Sequence, residues 1–356
     1  MTDTFILQFS EGDNYGPGNS KTVMARREAV LIAGGGGFIG GWMALGALAR
    51  GFSHVRCVDF KPFDEWYQVH DECDNIILDL RNPDDCRRAV RGMDYVINLA
   101  ADMGGMGYIE AHRANCMVSV LINTHLLCAV RDTGNKRYFF SSSACVYNVD
   151  KQREADVTPL KEEDAYPAMP ENGYGWEKLF SERTCQHFLE DFGVQTRVAR
   201  YHNVYGPHGT WDGGREKAPA AICRKIAQAK ISGKHDIEIW GDGEQTRTFM
   251  YVDDCVDGTF MLTESDFAQP INIGQSRLVT INQMVDIVEK IAGIKLERRY
   301  KRDAPLGVRG RSSDNTLIRK VFNWEPEITL EVGLEKTYRW IYDQLMRGNE
   351  VPLAAR

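Results

Sequence analysis

Tyr174 and Lys178, within the stretch YGWEK, are residues whose types and spacing could carry out proton transfer. Side chains four positions apart on a helix lie on the same face. A tyrosine with its ordinary pKa of about 10 is a poor base at neutral pH, and an adjacent ammonium stabilises its phenolate. The pair therefore predicts an activated tyrosine, and Ser143, at the end of an apolar stretch, can supply a third polar contact.

Cys145 stands two residues after Ser143 in FFSSSACVYN, where an apolar strand would end. A thiol, with an ordinary pKa of about 8.5, can act as acid or base near neutrality once a cation lowers that pKa. Lys217, in the glycine-containing stretch GGREKAPAA, is the candidate cation, because glycines let the backbone come close to a ligand. The alternative for Cys145 is a small buried apolar residue, which is our interpretation of the other eight cysteines.

A glycine-rich turn, AGGGGFIGG, follows the first apolar stretch and opens a predicted helix. Gly34, Gly37 and Gly40 are spaced GxxGxxG, which lets backbone N–H groups approach a pyrophosphate closely; a purely structural turn is the alternative. The next apolar stretch ends near Asp59, whose carboxylate would accept hydrogen bonds from a ribose and repel a 2′-phosphate. We therefore predict NAD rather than NADP, with these cofactor-binding candidates: Gly34, Gly37, Phe38, Ile39, Gly40, Asp59, Asp79, Leu80, Ala100, Tyr174 and Lys178.

The elements that must position these residues alternate between apolar strands and helix-length segments. The strands are apolar throughout, as strands covered on both faces are, and the alternation is typical of a parallel sheet. We predict strands at 29–33, 54–60, 75–80, 95–101 and 137–143, and helices that include 38–50, 83–91 and 115–133. Beyond about residue 200 the composition changes. The predicted class is α/β: a Rossmann-type doubly wound parallel sheet with a smaller C-terminal α/β substrate-binding lobe.

The composition excludes several classes of protein. The chain has 356 residues, 43% of them hydrophobic and 26% charged, which is typical of a globular protein. Its net charge of −7 argues against general nucleic-acid binding, because no pervasive basic surface is available to neutralise phosphates. We see no run of roughly 18 apolar residues and no secretory signal, and we expect a cytoplasmic protein without a membrane span. The histidines show no metal-binding spacing, so we predict no metal site.

Motifs spread over nearly the whole chain resemble those of the extended short-chain dehydrogenase/reductase superfamily: GGGGFIGG, LDLR, NLAA, SSSACVY, YGWEK, RYHNVYGP and RTFMYVDD. The resemblance implies NAD in a Rossmann fold, a hydride-transfer site of Tyr174, Lys178 and Ser143, and a nucleotide sugar between two lobes. It also implies a chain that returns to the first lobe. The predicted parts are an N-terminal extension at 1–28, an NAD-binding domain at 29–200 plus about 246–272, and a sugar-binding lobe at 201–245 plus 273–350. A homodimer is expected by analogy.

Longer motifs narrow the resemblance to the GDP-mannose 3,5-epimerase family: LAADMGGMGYI, SSSACVY, HNVYGPHGTWDGGREKAPAA, WGDGEQTRTF and GVRGRSSDN. Oxidation of a hexose at C4 acidifies the hydrogens on C3 and C5, and inversion of either carbon needs a base on one face and an acid on the other. The resemblance implies Cys145 and Lys217 as this pair. It implies a sugar-nucleotide site formed by Gly105, Ser143, Cys145, Asn203, Glu216, Lys217, Ala218, Lys225, Gln245, Arg247 and Arg309.

The expected function is NAD-dependent epimerisation of GDP-mannose at C3 and C5 through a transient 4-keto sugar, giving GDP-L-galactose and GDP-L-gulose. One alternative is a related epimerase that acts on another GDP-hexose or GDP-heptose, or that inverts a single carbon. Another is a non-catalytic NAD(H)-binding sensor or scaffold. The presence of Tyr174, Lys178 and Cys145 together favours an enzyme. Arg247 and Arg309 are expected to bind the diphosphate, because guanidinium groups can do so bidentately.

Overall fold

The structure, a computed structural model, describes residues 26–350, with side chains through residue 347. The predicted N-terminal extension at 1–28 lies, for its first 25 residues, outside this described part. The strands of the described part are β1 (Ala29–Ala33), β2 (His54–Asp59), β3 (Asp74–Ile77), β4 (Tyr95–Asn98), β5 (Arg137–Ser143), β6 (Thr196–Tyr201), β7 (Val204–Tyr205), β8 (Asp236–Trp240), β9 (Thr246–Arg247), β10 (Met250–Tyr251), β11 (Ile271–Ile273), β12 (Val279–Thr280), β13 (Glu297–Lys301) and β14 (Gly310–Arg311).

The helices that connect these strands differ greatly in length. They are α1 (Phe38–Ala49), α2 (Pro83–Val90), α3 (Met106–Ala111), α4 (Arg113–Val118), α5 (Val120–Thr133), α6 (Asn172–Phe192), α7 (Ala218–Ser232), α8 (Val252–Glu264), α9 (Ile281–Ala292), α10 (Thr316–Phe322) and α11 (Leu330–Glu350). The helix predicted at 115–133 is divided in two at Ser119, whose hydroxyl accepts a hydrogen bond from the Asp102 backbone N–H at 3.0 Å.

The main sheet has seven parallel strands in the order β11-β6-β5-β4-β1-β2-β3. The predicted Rossmann-type parallel sheet is confirmed. The strand order reverses between β1 and β4, and ligands of such sheets bind at this crevice, outside the carboxyl ends of the strands. β3 and β4 end earlier than predicted, and the residues after them leave the sheet toward this crevice.

Helices cover both faces of the sheet, which explains why its strands are apolar throughout. Val30 and Ile32 of β1 pack in one core with Met43 of α1. Leu31, between them, packs in the core on the other face with Leu126 of α5. All five side chains are fully removed from solvent, so both faces of the strand contribute to burial of apolar surface.

A smaller lobe is built from short strands and the helices α7, α9 and α11, as predicted. β8 pairs with β13, and β9 lies between β12 and β14. β14 runs parallel to β9, which places Arg311 directly beside Arg247. The chain also returns to the main sheet, because β11 pairs with β6. The sequence boundaries proposed for the two lobes stay predictions.

One helical stretch in the described part, Arg113–Thr133, is long and apolar enough to cross a membrane by length and composition alone. A core helix of a soluble protein passes the same test, so the match is weak evidence for a membrane span. This stretch covers α4 and α5, which pack beside α6 in the α/β domain.

A buried ion pair fixes α6 to the main sheet. Arg200 of β6 donates to Glu182 of α6 through Nε at 2.9 Å and Nη2 at 2.7 Å. The side chains of both residues are 3% exposed. Glu182 also accepts from the hydroxyl of Ser142 at the end of β5. These contacts set the position of α6, which carries Tyr174 and Lys178.

We expect Glu182→Ala to lower the free energy of unfolding by roughly 3–5 kcal/mol, because it leaves the Arg200 guanidinium buried and unpaired. Chemical denaturation measures the change. Glu335→Ala, which removes an exposed ion pair with Arg339 on α11, is the control and should have little effect. Equal stabilities of the two variants would contradict a structural role for the buried pair.

Candidate active site

A continuous cavity of about 1020 Å³ extends from the glycine-rich turn to the start of α7. Its wall contains every residue that the sequence predicted for the site except Arg309. These residues are Gly34, Gly37, Phe38, Ile39, Gly40, Asp59, Asp79, Leu80, Ala100, Gly105, Ser143, Cys145, Tyr174, Lys178, Asn203, Glu216, Lys217, Ala218, Lys225, Gln245 and Arg247. The tertiary structure therefore brings residues from both lobes to one cavity.

The glycine-rich turn forms a close backbone cradle at one end of this cavity. Gly34 has a φ of +84°, which side-chain-bearing residues rarely adopt. A Cβ at Gly40 would lie 2.0 Å from the Gly34 carbonyl oxygen. The turn is held to β2 by the Gly34 N–H, which donates to Val58 O at 2.8 Å. α1 begins directly after the turn, so its N-terminus offers backbone N–H groups to an anion.

Asp59, the last residue of β2, places a mostly buried carboxylate beside this cradle. Burial raises the pKa of Asp59, and the positive charge of Lys61 opposes that change. The Lys61 N–H donates to Asp59 Oδ1 at 3.2 Å. Asp79 lies nearby in an ion pair with Arg81, at 2.7 Å. A carboxylate at the end of the second strand fits a dinucleotide whose ribose carries a free 2′-hydroxyl.

Tyr174 and Lys178 occupy the first two turns of α6, near the middle of the cavity. Lys178 Nζ lies 5.6 Å from the Tyr174 ring centroid and 4.7 Å from the ring of Phe140. Burial raises the pKa of Tyr174 well above its usual value, whereas a hydrogen bond from Ser143 lowers it. Glu177, also buried, lies 3.7 Å from the Lys178 ammonium. The tyrosine is thus a desolvated phenol held between a hydroxyl and a cation.

Cys145 lies in a 3₁₀ turn, Ala144–Val146, that directly follows β5. Its thiol is 8% exposed and lines the cavity. Arg311 Nη1 approaches Sγ at 3.5 Å. Burial raises the pKa of the Cys145 thiol, and the Arg311 charge and a hydrogen bond with Ser143 act against that increase. Cys145 is therefore in contact with a cation, but the cation is an arginine that the sequence analysis did not assign.

Lys217 is the residue immediately before α7 and is half-buried in the cavity wall. Burial lowers the pKa of its ammonium, and the thiols of Cys145 and Cys255 raise it. Cys145 and Lys217 line the same cavity. The environment shifts both groups toward their neutral forms, which suits groups that must gain and lose protons.

Arg309 is the exception among the predicted site residues. Its guanidinium bonds to Asp242 at 2.8 Å and is 33% exposed, away from the main cavity. Arg311, two residues later, lines the cavity instead and is 4% exposed. Asp242 forms an ion pair with Arg309 just before β14, whereas Arg311, within β14, is buried. The motif GVRGR contains both residues, and the sequence held no signal that separated them.

The far end of the cavity, between α7 and the strands of the smaller lobe, combines a buried guanidinium with one unsatisfied acceptor. Arg247 donates to the carbonyls of Leu306 and Val308 at 3.1 and 2.6 Å. Burial, together with the charge of Arg311, lowers the pKa of Arg247 to about 10. Gln245 Oε1 is buried and has no hydrogen-bond partner within residues 26–347. This end can bind an anionic group and a hydrogen-bond donor.

The remaining predicted residues form the wall between these two ends. Glu216 accepts from Arg224 Nη2 at 2.8 Å, and Lys225 Nζ donates to Glu238 O at 2.8 Å. Asn203, with a φ of +45°, donates to Thr248 O at 2.9 Å. At Gly105, an added Cβ would lie 2.5 Å from Glu216 O, so a side chain would push this part of the wall outward.

Comparison with known proteins agrees with the shape and residues of this site. The model of the NAD dependent epimerase/dehydratase family matches residues 30–274. The chain belongs to this family. It is 44% identical over 317 residues to GDP-mannose 3,5-epimerase 1 of Oryza sativa subsp. japonica, covering 89% of this chain and 82% of that protein. It is 43% identical over 330 residues to GDP-mannose 3,5-epimerase of Arabidopsis thaliana, covering 91% and 86%. The predicted family resemblance is confirmed.

Solved structures of sugar-nucleotide epimerases share the fold. The chain is similar to UDP-glucose 4-epimerase from Thermotoga maritima with UDP-glucose, at a TM-score of 0.80 and 25% identity, covering 89% of this chain and 99% of that one. It is also similar to UDP-glucuronic acid 4-epimerase from Bacillus cereus in complex with UDP-glucuronic acid and NAD, at a TM-score of 0.75 and 25% identity, covering 89% and 99%.

NAD is the cofactor, as predicted. The residues present fit it: Gly34 and Gly40 leave room for a pyrophosphate, and Asp59 offers a carboxylate to a ribose. Tyr174 and Lys178 line the same cavity beyond the turn. The enzyme is therefore a nucleotide-sugar epimerase, and the residues predicted for the cofactor and most of those predicted for the sugar line one cavity.

We expect Gly40→Ala to weaken NAD binding by about tenfold or more, because the new Cβ would force the glycine-rich turn apart. Isothermal titration with NAD measures the affinity. Gly107→Ala is the matched control, since its Cβ would meet Trp240 at 3.6 Å, an ordinary contact, and it should bind NAD normally. Unchanged affinity in Gly40→Ala would show that the cradle does not hold the cofactor.

Proposed function

We propose that the protein inverts GDP-mannose at C3 and C5, giving GDP-L-galactose and GDP-L-gulose. The observation that carries this proposal is the pair Cys145 and Lys217, which line one cavity with Tyr174. An enzyme that inverts only C4 needs no such pair, because rotation of the keto sugar suffices. Inversion at C3 or C5 needs a proton carrier on each face. The similarity to the rice and Arabidopsis GDP-mannose 3,5-epimerases supports the proposal.

The redox steps involve Tyr174, Lys178 and Ser143. NAD supplies reversible uptake of a hydride from C4 of the sugar, so the reaction needs no external oxidant. Tyr174 takes the proton of the C4 hydroxyl as the ketone forms and returns it when the ketone is reduced. The Lys178 ammonium stabilises the phenolate, and Ser143, hydrogen-bonded to the phenol, orients it.

The inversions involve Cys145 and Lys217. With a ketone at C4, the Cys145 thiolate removes a proton from the adjacent carbon, and the electron pair moves toward the ketone oxygen as an enolate. The Lys217 ammonium then gives a proton to the opposite face. Arg311, at 3.5 Å from Sγ, stabilises the thiolate that this step requires. The sugar keeps its oxidation state once the ketone is reduced.

Incubation with NAD and GDP-mannose in D₂O is expected to place deuterium at C3 and C5 of the products, as measured by NMR and mass spectrometry.

Cys145→Ala should lower kcat by about 100-fold or more, because it removes a proton carrier. Cys128→Ala, which changes a half-buried thiol outside the cavity, is the matched control and should keep full activity.

Three outcomes would change the assignment. Absence of deuterium at both carbons contradicts the proposal. Label at one carbon, or turnover only of another GDP-hexose or a GDP-heptose, favours the related epimerase. Full activity of Cys145→Ala would show that another residue is the base. Absence of all turnover despite NAD binding favours a sensor or scaffold.

We also propose that the enzyme is a homodimer that pairs through α4, α5 and α6. Large apolar side chains lie exposed on these neighbouring helices: Met117, Val118, Leu121, Trp176 and Phe180. Exposed apolar side chains on helices that pack side by side indicate an interface, and contact with a second copy would remove them from water. Met117, Val118 and Leu121 lie within Arg113–Thr133, the stretch that is apolar enough to resemble a membrane span.

Phe180→Glu, which places a charge where the side chain is 57% exposed, is expected to convert the dimer to a monomer. Light scattering coupled to size-exclusion chromatography measures the mass. Met346→Glu, on α11 and 40% exposed, is the control and should stay dimeric. A monomeric mass for the unmodified protein would contradict the proposed homodimer.

The cytoplasmic location expected from the sequence stays a proposal. It is supported by the nine cysteines, all of which are free thiols in the described part of the chain.

A further inference from the structure

A second cavity, of about 450 Å³, lies behind the wall that carries Cys145. Its lining comes from the segment after β5, the start of α6 and the segment before β14: Val149, Asp150, Gln152, Arg153, Glu171, Asn172, Gly307, Val308 and Arg309. Asp150 and Arg153 are exposed at its rim, so the cavity is open to solvent.

Three side chains form the wall between the two cavities. Cys145 and Arg311 line the main cavity, and Glu171 lines the second one. Arg311 Nη2 donates to Glu171 Oε2 at 2.8 Å, and Nη1 of the same guanidinium approaches Cys145 Sγ at 3.5 Å. The Glu171 N–H also donates to Cys145 O at 2.9 Å. One guanidinium therefore holds the thiol and the carboxylate together, the thiol in the wall of the main cavity and the carboxylate in the wall of the second.

A reaction with one proton carrier on each face changes the protonation of both carriers. After one inversion Cys145 holds the proton that it removed, and Lys217 has lost the one that it gave. Before the next inversion Cys145 must lose this proton and Lys217 must regain one. Because inversion takes place at both C5 and C3, these proton transfers must occur while the sugar is still bound. A sugar bound in the main cavity would separate Cys145 from the solvent of that cavity. The second cavity offers the thiol another route to solvent, on the side of Glu171.

We propose that Glu171 relays protons between the Cys145 thiol and water in the second cavity, an inference that rests on the proposed function. The S–H bond of Cys145 breaks as an O–H bond forms on the Glu171 carboxylate. The carboxyl group then gives this proton to water, which restores the thiolate and the carboxylate. Lys217, as a neutral amine, takes a proton from water in the main cavity, so charge and protons balance.

The other groups in this wall cannot replace the carboxylate. Arg311 stays charged and offers only donors, and the amide of Gln152, which accepts from Arg311 Nε at 2.6 Å, does not titrate. Burial raises the pKa of Glu171, but Arg311 outweighs burial and keeps the pKa below its usual value. Glu171 is therefore ionised and able to accept a proton.

The test compares proton exchange with turnover in D₂O. When Cys145 removes the C5 proton and the step reverses, the recovered GDP-mannose carries deuterium only if the thiol has exchanged with solvent. We expect the unmodified enzyme to label recovered GDP-mannose as product forms. In Glu171→Gln, the ratio of label in recovered GDP-mannose to product formed should fall by about tenfold or more, because the proton returns from the thiol unexchanged. A purely structural loss would lower labelling and product formation together.

Three further variants distinguish loss of the proton relay from loss of a hydrogen-bond acceptor for Arg311. Gln152→Met removes one acceptor from Arg311 but keeps the carboxylate, and should leave the ratio unchanged. Glu171→Asp should also retain it. In Glu171→Ala, added formate can enter the second cavity as a substitute carboxylate and should restore the ratio. These two Glu171 variants keep the test valid if Glu171→Gln does not fold.

An unchanged ratio in Glu171→Gln, or in Glu171→Ala without formate, would overturn the relay and leave the proposed function intact. A reduced ratio in Gln152→Met equal to that in Glu171→Gln would also overturn it, because the effect would then come from Arg311. Neither label nor product with the unmodified enzyme would overturn the proposed function and the relay with it.

Discussion

The buried guanidinium of Arg311 is the constraint on which the geometry of the active site depends. A guanidinium that is 4% exposed is tolerated only when its donors are satisfied, and here they reach Gln152, Glu171 and Cys145. These partners come from the end of β5 and the start of α6, whereas Arg311 itself comes from the smaller lobe. One set of hydrogen bonds thus ties the thiol, the helix that carries Tyr174, and the strand pair β9–β14 into a fixed arrangement.

Burial then sets the chemistry of the groups held in this way. The pKa of Cys145 is raised and that of Lys217 is lowered, each chiefly by loss of solvent, so burial favours the neutral form of both groups. The glycine-rich turn, by contrast, acts through shape, because it leaves space for the cofactor beside Asp59.

The fold was predictable from sequence because its physical causes are local. Strands covered on both faces must be apolar throughout, so β1 and β5 were located at their observed bounds, and the spacing of Gly34, Gly37 and Gly40 marked the turn into α1. The helix over 115–133 was predicted as one element, whereas the structure divides it at Ser119, whose hydroxyl accepts from Asp102, a residue 17 positions earlier. The shorter ends of β3 and β4 likewise follow from the crevice that the whole sheet creates.

The sequence by itself determined the fold class and the cofactor, and it selected Cys145, Lys217, Tyr174 and Lys178, which line one cavity, because motifs record residue types at fixed spacing. Only the tertiary structure decided which arginine faces the thiol. Arg309 and Arg311 stand two residues apart in one motif, and Asp242 binds the first while Glu171 binds the second. The structure also brings Glu171 to Cys145, through a backbone hydrogen bond and the guanidinium that both side chains share. The two residues are 26 positions apart, and no local sequence pattern records a contact across that distance.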